Sequence, residues 1–345
     1  METSGPAVLP AAGARPAPAP AGEPPLGWQC RAALRLEAPA QPGGVCRHQA
    51  SAEAPLKWLR AYRQAEGRLE IPLLHTAGGL VGGDRLELEL RGEAHSRGLL
   101  TSVAAQKVYG SVGRFRGGDG EARWARQELR IHLAADADLE WLPQEVVLYA
   151  NALFEQRSRV ELAEGASFLG AEVVRLGRSA AGETLAEGCW RSTLEIVRHT
   201  REGPRWELVD RLELGGEALE EEHGLKGEPV FGSLVWAAGQ PLEPARRDAL
   251  LQACRSAREG LEGTMACGAL EQGLVARYLG PSSQAARYWF TRIWALIRRE
   301  RGQAEPQLPR VWPFQEKPLA GAGAGPAQPQ GASSTAAEPS AASSD

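Results

Sequence analysis

Hydrophobic and polar residues alternate with a period of two over most of the chain. The alternation is clearest in residues 85–91, 128–133 and 206–214. Because successive side chains of a strand point to opposite faces, such segments are predicted to be strands with one buried face and one solvated face. Similar patterns predict further strands, which cover residues 30–37, 69–75, 98–103, 154–162, 168–176 and 192–199.

Two segments near the C-terminus have a helical period instead. Residues 244–261 carry apolar side chains three or four positions apart, and a second helix is predicted to begin after Ser282 or Ser283. Its apolar stripe contains Trp289, Phe290, Ile293, Trp294 and Ile297. A stripe this wide is predicted to be buried in the body of the protein, because such faces usually form core. Between the helices, residues 269–278 are predicted to form one or two strands.

Many short strands with few helices between them predict an all-β fold. Parallel strands usually require long helical crossovers, which the pattern does not contain, so we expect a large antiparallel β-rich body. Its sheets would pack as a sandwich or as β-helix-like layers, with two α-helices in the C-terminal third. One domain is expected to cover residues 28–315.

The two ends of the chain differ in composition from this body. Residues 1–27 and 316–345 are mostly Ala, Pro, Gly and Ser. Such segments have too few large apolar side chains to offset the entropy lost on ordering. Both are therefore predicted to be disordered tails.

Charge and hydropathy exclude several classes of function. The chain has 39 Lys and Arg against 43 Asp and Glu and no basic cluster, which argues against binding of nucleic acid. No apolar run approaches the roughly 18 residues of a membrane-spanning helix. Prolines interrupt the N-terminal apolar segment and no basic region precedes it, so a secretory signal is not expected. Five cysteines, an odd number, favour reduced thiols. We expect a cytoplasmic protein without disulfides.

A glycine-rich segment at residues 75–85 is the most informative motif. Its spacing is Gly-Gly-x-x-Gly-Gly, which differs from the dinucleotide-binding pattern, and a strand rather than a helix follows it. The residues alone favour a tight turn that Asp84 caps with its side chain, a role that Asn would also fill. Four glycines beside His75 and Asp84 nevertheless suggest a close approach of the backbone to another group.

The ionisable residues are compatible with a second function. Cysteine and histidine do not occur at zinc-site spacings, which argues against a tight metal site. Several carboxylates lie in buried segments or at strand ends, and two of them could form the acid/base pair of a β-rich carbohydrate-active hydrolase. They are Glu140, Glu145, Glu172, Glu183 and Asp210. A β-rich ligand-binding module without catalysis is a further alternative.

Five short motifs follow one another in the order of a known family. They are residues 75–85, 105–109, 141–145, 176–183 and 308–312, and together they cover the body of the chain. In this order and spacing the chain resembles the UreD (UreH) family of urease accessory proteins. The motif residues that carry the resemblance are His75, Gly78, Gly79, Gly82, Gly83, Lys107, Tyr109, Gln144, Glu145, Arg178 and Glu183.

The resemblance implies a chaperone and scaffold rather than an enzyme. Proteins of this family bind the urease apoprotein and, with UreF and the GTPase UreG, help to insert nickel into its active site. A β-rich fold with two helices is implied as well, together with a dimer of heterotrimers with UreF and UreG. Nickel would be a transient cargo rather than a retained cofactor.

By matching motifs, the resemblance places the acidic residues of a nickel path at Asp84, Glu172 and Asp210. Nickel binds imidazole and thiolate groups more strongly than isolated carboxylates. A chain without His/Cys clusters therefore suits a conduit better than a store.

Overall fold

The computed structural model describes residues 27–41, 43–111 and 122–312. Apart from Gly27, the predicted tails at residues 1–27 and 316–345 lie outside the described residues, as does residue 42. The first nine strands are β1 Gln29–Glu37, β2 Arg47–Ala52, β3 Leu56–Trp58, β4 Tyr62–Arg63, β5 Leu69–His75, β6 Arg85–Gly92, β7 Arg97–Ser102, β8 Gln106–Val108 and β9 Ala125–Leu133.

The remaining described residues add nine strands and two α-helices. The strands are β10 Asp138–Trp141, β11 Val146–Leu148, β12 Leu153–Leu162, β13 Ser167–Leu176, β14 Cys189–Thr200, β15 Gly203–Leu214, β16 Val230–Ala237, β17 Thr264–Leu270 and β18 Gly273–Gly280. The helices are α1 Pro244–Ser256 and α2 Ser283–Glu300. Each strand and helix predicted from periodicity is present, with ends that differ by a few residues.

The strands form two sheets. The seven-stranded sheet has the order β15-β14-β12-β9-β6-β1-β2. The eleven-stranded sheet follows β17-β18-β16-β13-β10-β7-β5-β3, with β4, β8 and β11 paired beside this path. Neither sheet closes on itself.

The prediction of an antiparallel body is wrong for the centre of both sheets. From β5 to β14 the chain passes back and forth between the sheets, so β6, β9, β12 and β14 pair in parallel, as do β5, β7, β10 and β13. Antiparallel pairs occur towards the edges, as in β14 with β15 and β16 with β18. Parallel strands need a long crossover. Here each crossover is a strand of the opposite sheet, so no helix is required.

The inner faces of the two sheets meet in one hydrophobic core. Along β6, Leu86, Leu88 and Leu90 are buried in this core. The alternate residues face outward, where Arg85 binds Glu128 of the neighbouring strand at 2.6 Å. The period-two pattern therefore separates a core face from an outer face of paired charges.

Helix α2 covers the outer face of the eleven-stranded sheet. Its N-cap is Ser282, whose hydroxyl accepts a hydrogen bond from the backbone N–H of Ala285 at 3.1 Å. Trp289, Phe290, Ile293, Trp294 and Ile297 are all buried in a second core against this sheet. The prediction that this stripe is core is confirmed.

Neither helix combines the length and apolar character that a membrane crossing would need within the described ranges. All five cysteines lie in these ranges, and each is a free thiol, as the sequence predicted.

Candidate functional site: a polar cavity between the sheets

A cavity interrupts the hydrophobic core between the two sheets, and polar side chains form part of its otherwise apolar lining. We call its polar lining the polar belt. The belt consists of His75, Ser102, Gln106, Gln127, Gln144, Gln156, Ser158, Glu172, Ser192 and Ser233. The volume open to the centres of water molecules is about 90 Å³. Since about 10–15 Å³ of such volume holds one water molecule, the cavity has room for several.

Strand register explains how the belt forms. Gln127 on β9, Gln156 on β12 and Ser192 on β14 occupy directly paired positions. Each takes an inward position of its strand that elsewhere carries an apolar residue. Because the three strands are adjacent and parallel, the polar positions form a row that crosses the strands.

Several atoms of the belt are buried without a hydrogen-bond partner from the protein. They are Nε2 of His75, Oε1 of Gln156 and both polar side-chain atoms of Gln144. Gln144 is only 2% exposed. Buried polar atoms in folded proteins are nearly always satisfied, by protein or by water. The belt therefore suits a hydrated cavity that can admit a polar ligand.

The glycine-rich segment lies at one end of the cavity, and Asp84 caps its turn. Oδ1 of Asp84 accepts a hydrogen bond from the backbone N–H of Trp28 at 2.8 Å, and Oδ2 accepts one from Val81 at 2.8 Å. The residue is 1% exposed, and it is not one of the residues that line the cavity. The structural role favoured by the residues alone is therefore present.

His75 links this turn to the cavity. Its side chain lines the cavity. Burial lowers the pKa of His75, and the negative charge of nearby Asp84 opposes this shift. Asp84 thus acts on the cavity through its charge, while its two oxygens hold the turn.

Glu172 and Asp210 lie together at the other end, although they belong to different sheets. Oε2 of Glu172 on β13 accepts a hydrogen bond from Nε2 of Gln156 at 3.0 Å. Oδ2 of Asp210 on β15 pairs with Nη2 of Arg277 at 2.5 Å. Burial raises the pKa of Glu172 to about 7; Arg277 and the Gln156 hydrogen bond oppose this rise, and Asp210 adds to it.

The structure therefore brings together two of the three acidic residues of the expected nickel path. Asp84 directly precedes β6, which is separated from β15 by four strand spacings in the seven-stranded sheet. At about 4.8 Å per spacing, β6 and β15 are roughly 19 Å apart across the sheet, so Asp84 and Asp210 are at least this far apart.

The other motif residues gather near the glycine-rich segment. The ring of Tyr109 meets that of Tyr149 edge to face at 4.9 Å, and its hydroxyl donates to the carbonyl oxygen of Gly78 at 3.3 Å. A Cβ at Gly79 would lie 2.6 Å from the Tyr109 ring, so only glycine permits this approach. Lys107 is exposed on the neighbouring strand β8.

Arg178 and Glu183 extend this group. The guanidinium of Arg178 lies 4.4 Å from the centre of the Tyr149 ring and donates from Nε to Glu183 at 2.7 Å. The remaining glycines, Gly82 and Gly83, belong to the turn that Asp84 caps.

Most of the carboxylates considered for a hydrolase are engaged by arginine. Glu140 pairs with Arg298, Glu145 with Arg287, Glu183 with Arg178 and Asp210 with Arg277. The fifth, Glu172, accepts a hydrogen bond from Gln156. Carboxylates that are already bound to guanidinium groups do not provide the free acid/base pair that a hydrolase needs.

Sequence reasoning missed Arg277 and two glutamines of the belt, Gln127 and Gln156, whereas Gln144 was named as a motif residue. Gln127 and Gln156 were detectable, because each is a polar residue at an inward position of an alternating strand. Arg277 carried no such signal. Within residues 27–41, 43–111 and 122–312, no three His, Cys, Asp or Glu side chains are grouped so that they could hold a metal ion.

Comparison with known proteins agrees with the motifs. The family described as UreD urease accessory protein matches residues 30–313 of the chain. The urease accessory protein UreD of Synechococcus sp. strain WH7805 is 58% identical over 297 residues, which cover 85% of this chain and 93% of that relative. UreD of Prochlorococcus marinus strain MIT 9303 is 59% identical over 270 residues, 78% of this chain and 90% of that relative.

These relatives are named as accessory proteins of an enzyme rather than as hydrolases, so the prediction of a non-enzymatic role is confirmed. The motifs, the family match and the identity over most of the chain agree, and this protein belongs to the UreD family of urease accessory proteins.

Proposed function

We propose that this chain passes nickel through the polar cavity to urease while it holds the urease apoprotein, UreF and UreG in one assembly. Membership of the UreD family supports a role in urease maturation. The observation that carries the nickel path is the polar belt, which crosses the core and ends at Glu172 beside Asp210. Nickel is then a cargo and not a resident cofactor.

The chemistry of the belt suits transfer of a divalent cation. The belt consists of amides, hydroxyls, one carboxylate and one imidazole, and apolar side chains line the rest of the cavity. Divalent nickel prefers clustered imidazole and thiolate ligands, so spaced oxygen ligands and water bind it weakly enough to release it. In this scheme Asp84 shapes the glycine turn and adds negative charge near His75.

The assembly would be a dimer of heterotrimers with UreF and UreG in the cytoplasm. Co-purification of the tagged full-length chain with UreF, UreG and the urease apoprotein tests this arrangement. Recovery of the chain without any of the three would contradict the scaffold role.

Urease activation at limiting nickel tests the path itself. Glu172→Gln and Asp210→Asn remove the charges at the end of the belt, and each is expected to lower activation at least several-fold while complex assembly is retained. Glu213→Gln is a matched control, because Glu213 lies on β15 like Asp210 but faces outward with a side chain 62% exposed. If both variants activate urease as well as this control at limiting nickel, the cavity is not the path.

A further inference from the structure

Arg277 places a positive charge beside the carboxylates at the end of the belt. Its Nη2 pairs with Asp210 at 2.5 Å, and its Nη1 donates to the hydroxyl of Ser233 at 2.5 Å. The guanidinium also lies 5.7 Å from the centre of the Phe231 ring. Three contacts hold it in place beside Ser233, which lines this end of the cavity. A cation is unexpected on a path for nickel, because like charges repel.

Strand register places this guanidinium close to Glu172 as well. Ser233 on β16 is paired with Glu172 of β13 on one side and with Arg277 of β18 on the other. The three residues form a row across the eleven-stranded sheet, and Asp210 reaches this row from the seven-stranded sheet. Both carboxylates therefore lie within electrostatic range of one arginine.

The charges of the cluster determine how strongly it can hold a divalent cation. Asp210 and Arg277 neutralise each other, which leaves Glu172, whose pKa is raised by burial to about 7, as the only carboxylate of the pair without a cationic partner in direct contact among the described residues. Without Arg277, two carboxylates from facing sheets would form a pair with up to two negative charges beside the polar belt. Oxygen ligands of this kind bind divalent cations, and their affinity rises with the number of charged ligands.

We propose that Arg277 prevents the Glu172–Asp210 pair from retaining a divalent cation, so that this end of the cavity releases nickel. This inference rests on the proposed nickel path, but it is tested by a separate measurement of nickel binding. An arriving cation must compete with a guanidinium already bound to Asp210. Arg277 is thus a positioning residue that lowers the affinity of the Glu172–Asp210 pair for nickel.

Nickel binding to the purified full-length chain tests the proposal. Equilibrium dialysis against nickel(II) chloride is compared for the parent, Arg277→Gln and the double variant Arg277→Gln/Asp210→Asn. Arg277→Gln is expected to bind one additional nickel ion per chain. The dissociation constant of this extra site is expected to be at least tenfold lower than that of nickel at the same position in the parent. The double variant, which lacks both charges, is expected to bind like the parent.

Two results would overturn the proposal. One is Arg277→Gln binding no more nickel than the parent. The other is equal extra binding by the single and the double variant, because the new site would then not include Asp210.

Asp210, a partly buried carboxylate, loses its partner in Arg277→Gln, which can destabilise the fold, so a gentler variant supports the test. Ser233→Ala removes one hydrogen bond of Arg277 but keeps the charge, and it is expected to raise the affinity for nickel about threefold. Arg277→Lys keeps the charge and is expected to bind like the parent. If Arg277→Gln does not fold and Ser233→Ala binds like the parent, the proposal is wrong.

The nickel-binding test of Arg277 and the urease-activation test of the nickel path can fail independently of each other. Loss of activation in Glu172→Gln and Asp210→Asn, with no extra nickel bound by Arg277→Gln, would leave the path intact and refute the role of Arg277. Full activation by both acidic variants, with extra nickel bound by Arg277→Gln, would refute the path and retain the charge effect.

Discussion

Glu140 on β10 and Arg298 on α2 are 158 residues apart in sequence and form a bidentate ion pair in the core. Nε of Arg298 donates to Oε1 at 2.8 Å, and Nη2 donates to Oε2 at 2.6 Å. Their side chains are 1% and 4% exposed. The indole N–H of Trp294 donates to the same carboxylate at 2.8 Å, so Glu140 fixes α2 on the sheet.

Glu140→Gln is expected to destabilise the protein strongly. The amide keeps the shape of the side chain but leaves a buried guanidinium without its counter-charge, and breaking such pairs costs about 3–5 kcal/mol. Denaturant unfolding measures the change. Glu213→Gln, which breaks an exposed pair with Arg191, is expected to cost less than about 1 kcal/mol. Equal effects of the two substitutions would show that the buried pair does not anchor α2.

The raised pKa of Glu172 predicts a pH-dependent stability. Its pKa is about 7 in the folded protein against 4.5 ordinarily, so between these values the folded state binds more protons than the unfolded state. The contribution of Glu172 to the free energy of unfolding is therefore fully present below pH 4.5. It is lost as the pH rises through about 7.

Relative to Glu172→Gln, the parent should therefore lose on the order of 1–3 kcal/mol between pH 5 and pH 8. Thermal unfolding of the two proteins at both pH values checks this difference. A parent that gains stability over the variant as the pH rises would contradict the prediction.

Asp84→Asn is expected to destabilise the glycine turn, in contrast to the expectation from the residues alone. Both carboxylate oxygens of Asp84 accept backbone hydrogen bonds, whereas Asn has only one acceptor oxygen. One partly buried N–H then loses its partner, which costs about 0.5–1.5 kcal/mol. Urea denaturation measures this loss, and a variant as stable as the parent would show that the turn does not depend on both bonds.

Gln144→Leu separates hydration of the cavity from stability of the fold. Both polar side-chain atoms of Gln144 are buried without a protein partner, so an apolar side chain of similar size should leave stability unchanged or raise it. The substitution removes a polar group from the belt and is expected to lower urease activation at limiting nickel. Restoration of activation by excess nickel is the control. Unchanged activation at limiting nickel would exclude Gln144 from the path.

The sequence by itself determined the longer strands, the two helices and the family. Alternation located eleven of the eighteen strands in the described residues and showed which face of each is buried, and the apolar stripe of α2 predicted its burial. Alternation did not locate β2, β3, β4, β8, β10, β11 or β16. The glycine motif with Asp84 was recognisable as a capped turn, since cap and turn are adjacent in the chain. Gln127 and Gln156 were missed, although each is a polar residue at an inward position of an alternating strand.

Only the tertiary structure showed that the central strands are parallel and that Glu172, Asp210 and Arg277 meet. A period of two is the same in parallel and antiparallel sheets, so alternation cannot determine which strands pair. Glu172 and Arg277 share a row because β13, β16 and β18 are neighbours, and Asp210 reaches them from the facing sheet. Such contacts depend on the packing of the sheets against each other, which local sequence patterns do not encode.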